Sequence, residues 1–523
     1  MEEKSHPARI CVPVCEGRAS DMTRRVGDAA AAAADLIELR LDCLPGVEFA
    51  LALRHLDELR RASPKPLILT LRPAEQGGRR EIDILNRLAF WVEHFLYDEE
   101  YEGFADIELE LLLLIQQSED RQWKKLDWTR VICSHHDFTG VSAVALEEMY
   151  ERMASTPARI LKIAASASDI TDCIPVFHLL ERARREGREL IAIAMGPAGI
   201  ATRILGPSRG TFLTYASLDD IHATAPGQLS VRELRELYRL REINQHTKIM
   251  GVMGSPVSHS ISPQIHNAAF AARGINAVYI PFEVREAKAF LRRMVHPRSR
   301  ELDWKLRGLS VTAPHKSAVM EMLNDVDPAA REIGAVNTIV IEEDKLVGYN
   351  TDAAALLEPL RGRTVSLKGA RCAVIGAGGA ARSTLWALRR EGAETTLFAR
   401  NVEKASPLAE KFGASCAPLE NARFDGFELV INATPLGTRG PSENETPAIA
   451  SQLEGARLAY DLVYNPTPTR FMREASEAGA ESIGGLGMLL AQAAAQFSLW
   501  NGEDAPLNTM REAAEHALDH FGF

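Results

Sequence analysis

With 523 residues the chain is too long for one core, and ordinary domain sizes predict two to four packing units, two large ones fitting best. Its 46% hydrophobic and 25% charged residues exclude the disordered and fibrous classes. A formal net charge of -11, with no block of lysine and arginine, argues against nucleic acid and against anionic membranes as partners.

From the N-terminus, short runs rich in Ile, Leu and Val alternate with amphipathic stretches. The runs are RICVPVC from Arg9, LIELRLD from Leu36, PLILTLR from Pro66, FADIELE from Phe104, RVICSHH from Arg130, RILKIAA from Arg159, ELIAIAM from Glu189 and TFLTYAS from Thr211. Strands joined by helical crossovers in this number predict an N-terminal (β/α)8 TIM barrel. A doubly wound open sheet is the alternative, because the fourth crossover, LLLLIQQSEDRQWKKL, is irregular. The charged stretch VRELRELYRLREIN reads as the last helix, which divides the chain into 1–246 and 247–523. GPSRG, Gly206 to Gly210, matches G-x-S-x-G, but a strand follows where a nucleophile elbow needs a helix, so Ser208 reads as a turn residue.

In such barrels the strand ends and the loops after them form the active site. Glu38 and Arg40, two apart, share one side of the second strand, while Arg72 closes the third and His136 the fifth. Lys162 lies mid-strand among Ile160, Leu161 and Ile163. Desolvation there favours the neutral amine that attacks a carbonyl, so Schiff-base chemistry is the direct inference. Taken singly, each strand-end Glu or Arg reads equally well as a satisfied ion pair, and of His135 and His136 only one faces the barrel axis.

IELRLD, LTLRPAEQGG, SHHDF, ILKIA, and ATRILG followed by TAPGQ stand in the right order and closely resemble type I 3-dehydroquinate dehydratase. The resemblance implies that Lys162 forms an imine with the ketone of 3-dehydroquinate and that His136 moves the protons of imine formation, elimination and hydrolysis. It further implies that Arg203 and Gln228 hold the substrate carboxylate, with Thr224 where the family usually has serine. Glu38, Arg40 and Arg72 would hold ring hydroxyls, and Glu108 would orient His136.

In the second half, RCAVIGAGGAARSTLWALRREGAETTLFARN supplies strand, glycine turn, helix and second strand, with Gly376, Gly378 and Ala381 filling G-x-G-x-x-G/A. The turn and the helix start suit a pyrophosphate. Where NAD enzymes carry an acid after the second strand, this chain has Ala399 and Arg400, a cation suited to a 2'-phosphate, so NADP(H) is the expected cofactor. Upstream lie GSPVSHSISPQIHN, LSVTAPHKSA, and GAVNTIV followed by GYNTD; downstream lie INATPLG, DLVYNPTPT and GGLGMLLAQAA. Together these resemble shikimate dehydrogenase. The resemblance implies that Ser260, Ser262, Thr312, Asn337, Asp352, Tyr464 and Gln492 bind 3-dehydroshikimate or shikimate, with Lys316 and Asp352 as the catalytic pair. It also implies that Gly379, Ala380, Asn432, Thr434 and Gly485 join the glycine turn in holding the cofactor.

On this reading 247–352 and the C-terminal helices form a substrate subdomain and 353–485 a Rossmann NADP-binding subdomain. Taken alone, Lys316 reads as a surface lysine, and Ser260 and Ser262 as helix caps; only their joint presence points to a site. The family's glycine after N-T-D is replaced by Ala353, Ala354 and Ala355. Keeping both Ser262 and Thr312 favours shikimate over quinate.

Dehydration of 3-dehydroquinate yields the 3-dehydroshikimate that the second half would reduce, so a bifunctional enzyme is expected, with its oligomeric state left open. One rival makes the barrel another lysine-dependent lyase or aldolase; another makes the chain a metabolite sensor built from retired enzymes, against which Lys162, His136, Lys316 and Asp352 weigh. HExxH and cysteine-histidine ligand spacings are absent, so no metal is expected. The cysteines, Cys11, Cys15, Cys43, Cys133, Cys173, Cys372 and Cys416, lack any C-x-x-C pair and read as reduced residues of a cytosolic protein. The polar start MEEKSHPARI and the lack of a long apolar run fit the same cytoplasmic expectation.

Overall fold

The computed structural model describes residues 8–96, 103–140, 142–219, 224–225, 227–361, 363 and 366–520. The chain divides into two compact units: Met1–Lys248 with Ile280–Met294 and Arg300–Lys305, and Ile249–Tyr279 with Val295–Ser299 and Leu306–Phe523.

The strands of the first unit are β1 (Ile10–Val14), β2 (Leu36–Arg40), β3 (Leu67–Thr70), β4 (Phe104–Glu108), β5 (Val131–Asp137), β6 (Ile160–Ser166), β7 (Glu189–Met195) and β8 (Thr214–Tyr215). They pair in parallel in the order β7-β6-β5-β4-β3-β2-β1-β8. Leu190 of β7 bridges Thr211 just before β8, and the Phe212 N–H donates to the Leu190 carbonyl at 2.8 Å. The sheet therefore curls into a nearly closed barrel, as expected, rather than an open doubly wound sheet. Strands buried on both faces need near-continuous apolar sequence, which the Ile, Leu and Val runs supply. The irregular fourth crossover has a local cause: Asp120 and Asp127 accept from the backbone N–H groups of Gln122 and Thr129, and each starts a short turn instead of prolonging the Leu109–Gln117 helix. Gly210, at φ +98°, ends the GPSRG turn, and the Ser208 hydroxyl donates to the Leu205 carbonyl at 2.8 Å, so Ser208 is a turn residue.

The two-residue period of a strand sorts the lumen into layers. Leu36, Ile68, Phe104, Ile132 and Ile160 form part of an apolar floor. Two residues on in each strand stand Glu38, Thr70, Asp106, Ser134 and Lys162, a buried polar layer. Two further on stand Arg40, Arg72, Glu108, His136 and Ala164 at the C-terminal mouth.

The chain from Lys248 onward carries two sheets. A mixed one has the order β10-β9-β11-β13-β14-β12, built from β9 (Lys248–Gly254), β10 (Ala277–Glu283), β11 (Leu306–Val311), β12 (Asp325–Val326), β13 (Thr338–Ile341) and β14 (Leu346–Tyr349). The other comprises β15 (Arg371–Ile375), β16 (Glu394–Ala399), β17 (Ser415–Pro418), β18 (Leu429–Asn432), β19 (Leu458–Asp461) and β20 (Glu481–Ile483). Its order, β17-β16-β15-β18-β19-β20, is the doubly wound dinucleotide-binding order, all parallel, with the glycine turn after β15 at the switch point. No helix among the described residues is long and apolar enough to cross a membrane.

One expectation is corrected. Cys15 and Cys43 form a disulfide, while Cys11, Cys133, Cys173 and Cys372 are buried and free and Cys416 is half-buried and free. Cys15 follows β1 and Cys43 ends the turn after β2; adjacent parallel strands bring these ends to a Cα separation of 5.4 Å, although 28 residues separate them in sequence. Linear spacing carries no trace of that.

His266 is fully buried and stacks on Tyr279 with ring centroids 4.4 Å apart. Burial pushes its pKa down to about 3. Between the unfolded value near 6.5 and this folded value, only the unfolded state holds the proton, so acid favours unfolding. The second unit is thus expected to lose up to about 1.4 kcal/mol of stability per pH unit below pH 6.5 through this residue. Denaturant titrations between pH 7.5 and 5.5 check this, with His266→Leu showing the shallower pH slope.

Candidate active sites

In the barrel, Lys162 is the centre of the polar layer. Its Nζ lies 2.7 Å from Asp106 Oδ2, 2.7 Å from Tyr215 Oη and 3.3 Å from Glu38 Oε1. Asp106 Oδ2 also accepts from Arg72 Nη2 at 2.8 Å, and Glu38 Oε1 accepts from the Thr70 hydroxyl at 2.8 Å. Lys162, Arg72, Glu38 and Asp106 are all buried, so two cations and two carboxylates cancel inside a closed lumen. Burial alone would raise the Asp106 carboxyl, but Arg72 and Lys162 overcome it and hold it well below the usual range.

His136, not His135, faces this cluster. Its Nδ1 lies 2.8 Å from Arg72 Nη1, and its backbone N–H donates to Gln76 Oε1 at 2.8 Å. A guanidinium only donates, so Nδ1 is the acceptor and the ring is neutral with its proton on Nε2. Burial, then Arg72 and Lys162, push its pKa well below the ordinary value. The expectation that Glu108 orients His136 is corrected: the Glu108 carboxylate is taken by Arg87 of the Ile84–Trp91 helix. Arg40 is held by both oxygens of the buried Asp42, at 2.8 Å each.

Arg203, on the Ile200–Leu205 helix after β7, is buried, and burial lowers its pKa to about 10 with no carboxylate contributing. Such a guanidinium is a receptor waiting for an anion. Gln228 Oε1 accepts from the Thr224 N–H at 2.8 Å and hydroxyl at 3.2 Å, which leaves its amide N–H groups to donate. Gly227 between them packs on the Gly196 carbonyl, which brings this loop to the end of β7. Asp106, Asp42, Gln76 and Tyr215 were not singled out by sequence. Counting two residues back from Glu108 along β4 would have found Asp106.

In the second unit, Lys316 Nζ lies 2.6 Å from Asp352 Oδ2, and Asn337 Nδ2 donates to Asp352 Oδ1 at 2.7 Å and to the Thr351 hydroxyl at 2.9 Å. Asn337 Oδ1 accepts in turn from the Thr351 N–H and the Thr338 hydroxyl, each at 2.8 Å. Parallel pairing of β9 with β11 sets the two loops that carry Ser260, Ser262 and Thr312 side by side, and Thr312 packs on Gly254. The Tyr464 hydroxyl hydrogen-bonds to the Ile261 backbone between the two serines. Gln492, on the Leu486–Asn501 helix, accepts through its main-chain carbonyl from the Thr351 hydroxyl at 3.4 Å, beside Asp352, and its side-chain amide donates to the Leu489 carbonyl at 3.1 Å. A buried chain missed in the sequence, Tyr279 to Ser310 to Gln496 to Thr338, runs into Asn337 from behind.

The glycine turn borders this cluster. Gly376 adopts φ +107°, and a side chain there would meet Thr434 at 2.8 Å; one on Gly379 would meet the Lys316 stem at 3.3 Å. Gly378 caps the Gly379–Arg390 helix, with Ala380 and Ala381 in its first turn and Ala381 buried. The open backbone at this helix start fits a dinucleotide pyrophosphate. Asn432 is buried and turned inward, its oxygen accepting from the Thr434 N–H and hydroxyl and its amide donating to Asp461, so it shapes the loop. Gly485 packs against the Leu462 carbonyl at the start of the last long helix pair, and Arg400 is exposed just past β16.

A lysine-centred barrel joined to a dinucleotide-binding reductase defines a two-enzyme chain. Residues 10–245 match the profile of type I 3-dehydroquinase. Residues 252–339 match the shikimate dehydrogenase substrate binding domain, 364–448 a putative NAD(P)-binding domain and 485–515 the shikimate 5'-dehydrogenase C-terminal domain. The bifunctional 3-dehydroquinate dehydratase/shikimate dehydrogenase, chloroplastic, of Arabidopsis thaliana is 34% identical over 97% of this chain and 85% of its own length. Shikimate dehydrogenase (NADP(+)) of Methanopyrus kandleri is 40% identical over 53% of this chain and 97% of its own, and that of Carboxydothermus hydrogenoformans is 38% identical over 52% and 98%. The chain belongs to the bifunctional 3-dehydroquinate dehydratase/shikimate dehydrogenase family.

Removing the Asp106 charge leaves Lys162 and Arg72 unbalanced in the lumen. Asp106→Asn is expected to cost the barrel about 3–5 kcal/mol, and adding Lys162→Met should recover at least about 1 kcal/mol of it. Chemical denaturation of the single and double variants measures both.

Proposed function

We propose that the barrel dehydrates 3-dehydroquinate to 3-dehydroshikimate and that the second unit reduces this product to shikimate with NADPH, two consecutive steps of the shikimate pathway. The observation that carries the reading is a buried amine on β6 with a neutral imidazole above it, in the same chain as a lysine-carboxylate pair bordering a dinucleotide turn. Domain limits of 1–246 and 247–523 belong to the same proposal.

In the barrel, Arg203 takes the substrate carboxylate together with Gln228 and Thr224. Ring hydroxyls engage Arg72, which frees His136 Nδ1 to accept a proton. Lys162 Nζ then attacks the ketone carbon, and the two protons the nitrogen gives up pass in turn through His136 to the carbonyl oxygen, which becomes a hydroxyl and then leaves as water to give the protonated imine. His136 next removes a proton beside the imine and returns it to the departing ring hydroxyl. Hydrolysis of the imine restores Lys162.

In the second unit, Ser260, Ser262, Tyr464 and Gln492 hold the substrate acid while Thr312, Asn337 and Asp352 hold its hydroxyls. NADPH, when bound along Gly376–Ala381 with Arg400 at its 2'-phosphate, supplies hydride. Lys316 donates a proton to the ketone oxygen, and Asp352, fixed by Asn337, keeps the amine aimed. The cytoplasmic location is also proposed; the five free thiols accord with it and the Cys15–Cys43 bond does not, and thiol labelling of freshly lysed cells tests it.

Fed 3-dehydroquinate and NADPH, the wild type is expected to make shikimate. Lys162→Ala should reduce only added 3-dehydroshikimate, and Lys316→Ala should accumulate it; a Lys162→Ala enzyme that still dehydrates would remove the barrel assignment. Arg400→Ser should raise the KM for NADPH by roughly ten- to a hundredfold, the loss of one charge-assisted contact, and leave NADH kinetics unchanged.

A further inference from the structure

Tyr215 is the last residue of β8 and pairs in register with Cys11 of β1. Its ring belongs to the apolar floor, with the centroid 4.4 Å from Lys162 Nζ, while its hydroxyl reaches up to that nitrogen at 2.7 Å. It touches the amine as closely as Asp106 does, yet the mechanism above gives it no task.

We propose that the Tyr215 hydroxyl aims Lys162 at the substrate ketone, as a positioning residue for imine formation. This rests on the assignment of Lys162 as the attacking amine. An ammonium has three N–H bonds, and here all three are spoken for: short ones to Asp106 and Tyr215, a longer one to Glu38. When His136 takes one proton, the amine keeps two N–H bonds and gains a lone pair. The two short contacts hold their hydrogens, and Glu38, whose Oε1 also accepts from Thr70, loses least by giving its hydrogen up. The lone pair then takes the direction that the Glu38 contact vacates, fixed by Asp106 on one side and Tyr215 on the other, and the ketone carbon meets the nitrogen from there. It forms the N–C bond as the carbonyl π pair moves to oxygen, which takes back the proton from His136. Without the hydroxyl, the nitrogen has one fixed point and rotates about the Cδ–Cε bond.

An acceptor in this place has to stay protonated, because a phenolate would add a third negative charge beside Glu38 and Asp106. Burial, followed by the Glu38 charge, pushes the phenol well above its ordinary pKa. The ring explains why a tyrosine serves: its face supports the cation, its edge packs on the floor, and only the hydroxyl enters the polar layer.

Tyr215→Phe removes the hydroxyl and keeps the ring. Expected are a kcat for dehydration lower by roughly ten- to a hundredfold, a KM within about twofold, and a parallel slowing of borohydride trapping on Lys162 with 3-dehydroquinate. The dehydrogenase rate of the same chain should be unchanged. Replacing Tyr215 by 3-fluorotyrosine, a poorer acceptor of nearly the same shape, should give an intermediate kcat. Wild-type kcat and trapping rate in the Phe variant would overturn the proposal, as would a raised KM at unchanged kcat. A Phe variant slowed while the fluorotyrosine enzyme runs at the full rate would also overturn it, assigning the loss to packing. Failure of the wild type to label Lys162 at all would overturn the site assignment beneath it, a result distinguishable from these.

Discussion

A lysine side chain inside a closed barrel is tolerable only if its charge is answered there, and the shared oxygen of Asp106 is what answers it. That one atom contacts both Lys162 and Arg72, so the nucleophile and the cation that holds His136 are placed by a single carboxylate. Glu38 completes the balance from the far side of the lumen. An unpaired ion at this depth would cost several kcal/mol, so the arrangement is a condition of folding as well as of chemistry. Lys162, Arg72 and His136 stand on neighbouring parts of the sheet, from β3 to β6, and the register of those parallel strands sets their heights.

The second unit solves a similar problem with fewer charges. Lys316 is partly exposed and faces one carboxylate, whose other oxygen is held by Asn337. Asn337 is itself fixed by Thr338 and Thr351, and a buried polar chain from Tyr279 backs it. Such a network holds the carboxylate still against Lys316. Gly379, whose missing side chain leaves room for the Lys316 stem, sets that lysine against the glycine turn. Each unit thus answers an amine with carboxylate, Lys162 buried between two and Lys316 partly exposed beside one.

Much of this was legible in the sequence because strand periodicity and strand-turn-helix order are local signals. The eight apolar runs and the strand-turn-helix unit around the glycines form the elements expected, Lys162 lies buried mid-strand as its neighbours imply, and the doubly wound strand order followed from the β-turn-helix-β unit. What the sequence concealed is partner choice across space. In DIELE, two acids lie on one strand face; the lower one meets Lys162, and the upper one meets Arg87 from a helix that no strand pattern could have placed. Arg40 looked free for substrate until Asp42, two residues on, proved to hold it through a tight turn. Tyr215 gave no signal, because its ring belongs to the floor and only the length of its side chain carries the hydroxyl to the next layer. Cys15 and Cys43 became neighbours through the pairing of β1 with β2, which linear spacing does not encode.

The central claim is that the amine balanced by Asp106 becomes covalently bound to the substrate. The most direct measurement is a crystal structure of the protein reduced with borohydride in the presence of 3-dehydroquinate. Continuous density from Lys162 Nζ to the ring carbon that carried the ketone, with Asp106 still beside that nitrogen and Arg203 on the carboxylate, is the predicted result. A ring bound elsewhere, or joined to another lysine, would contradict the account.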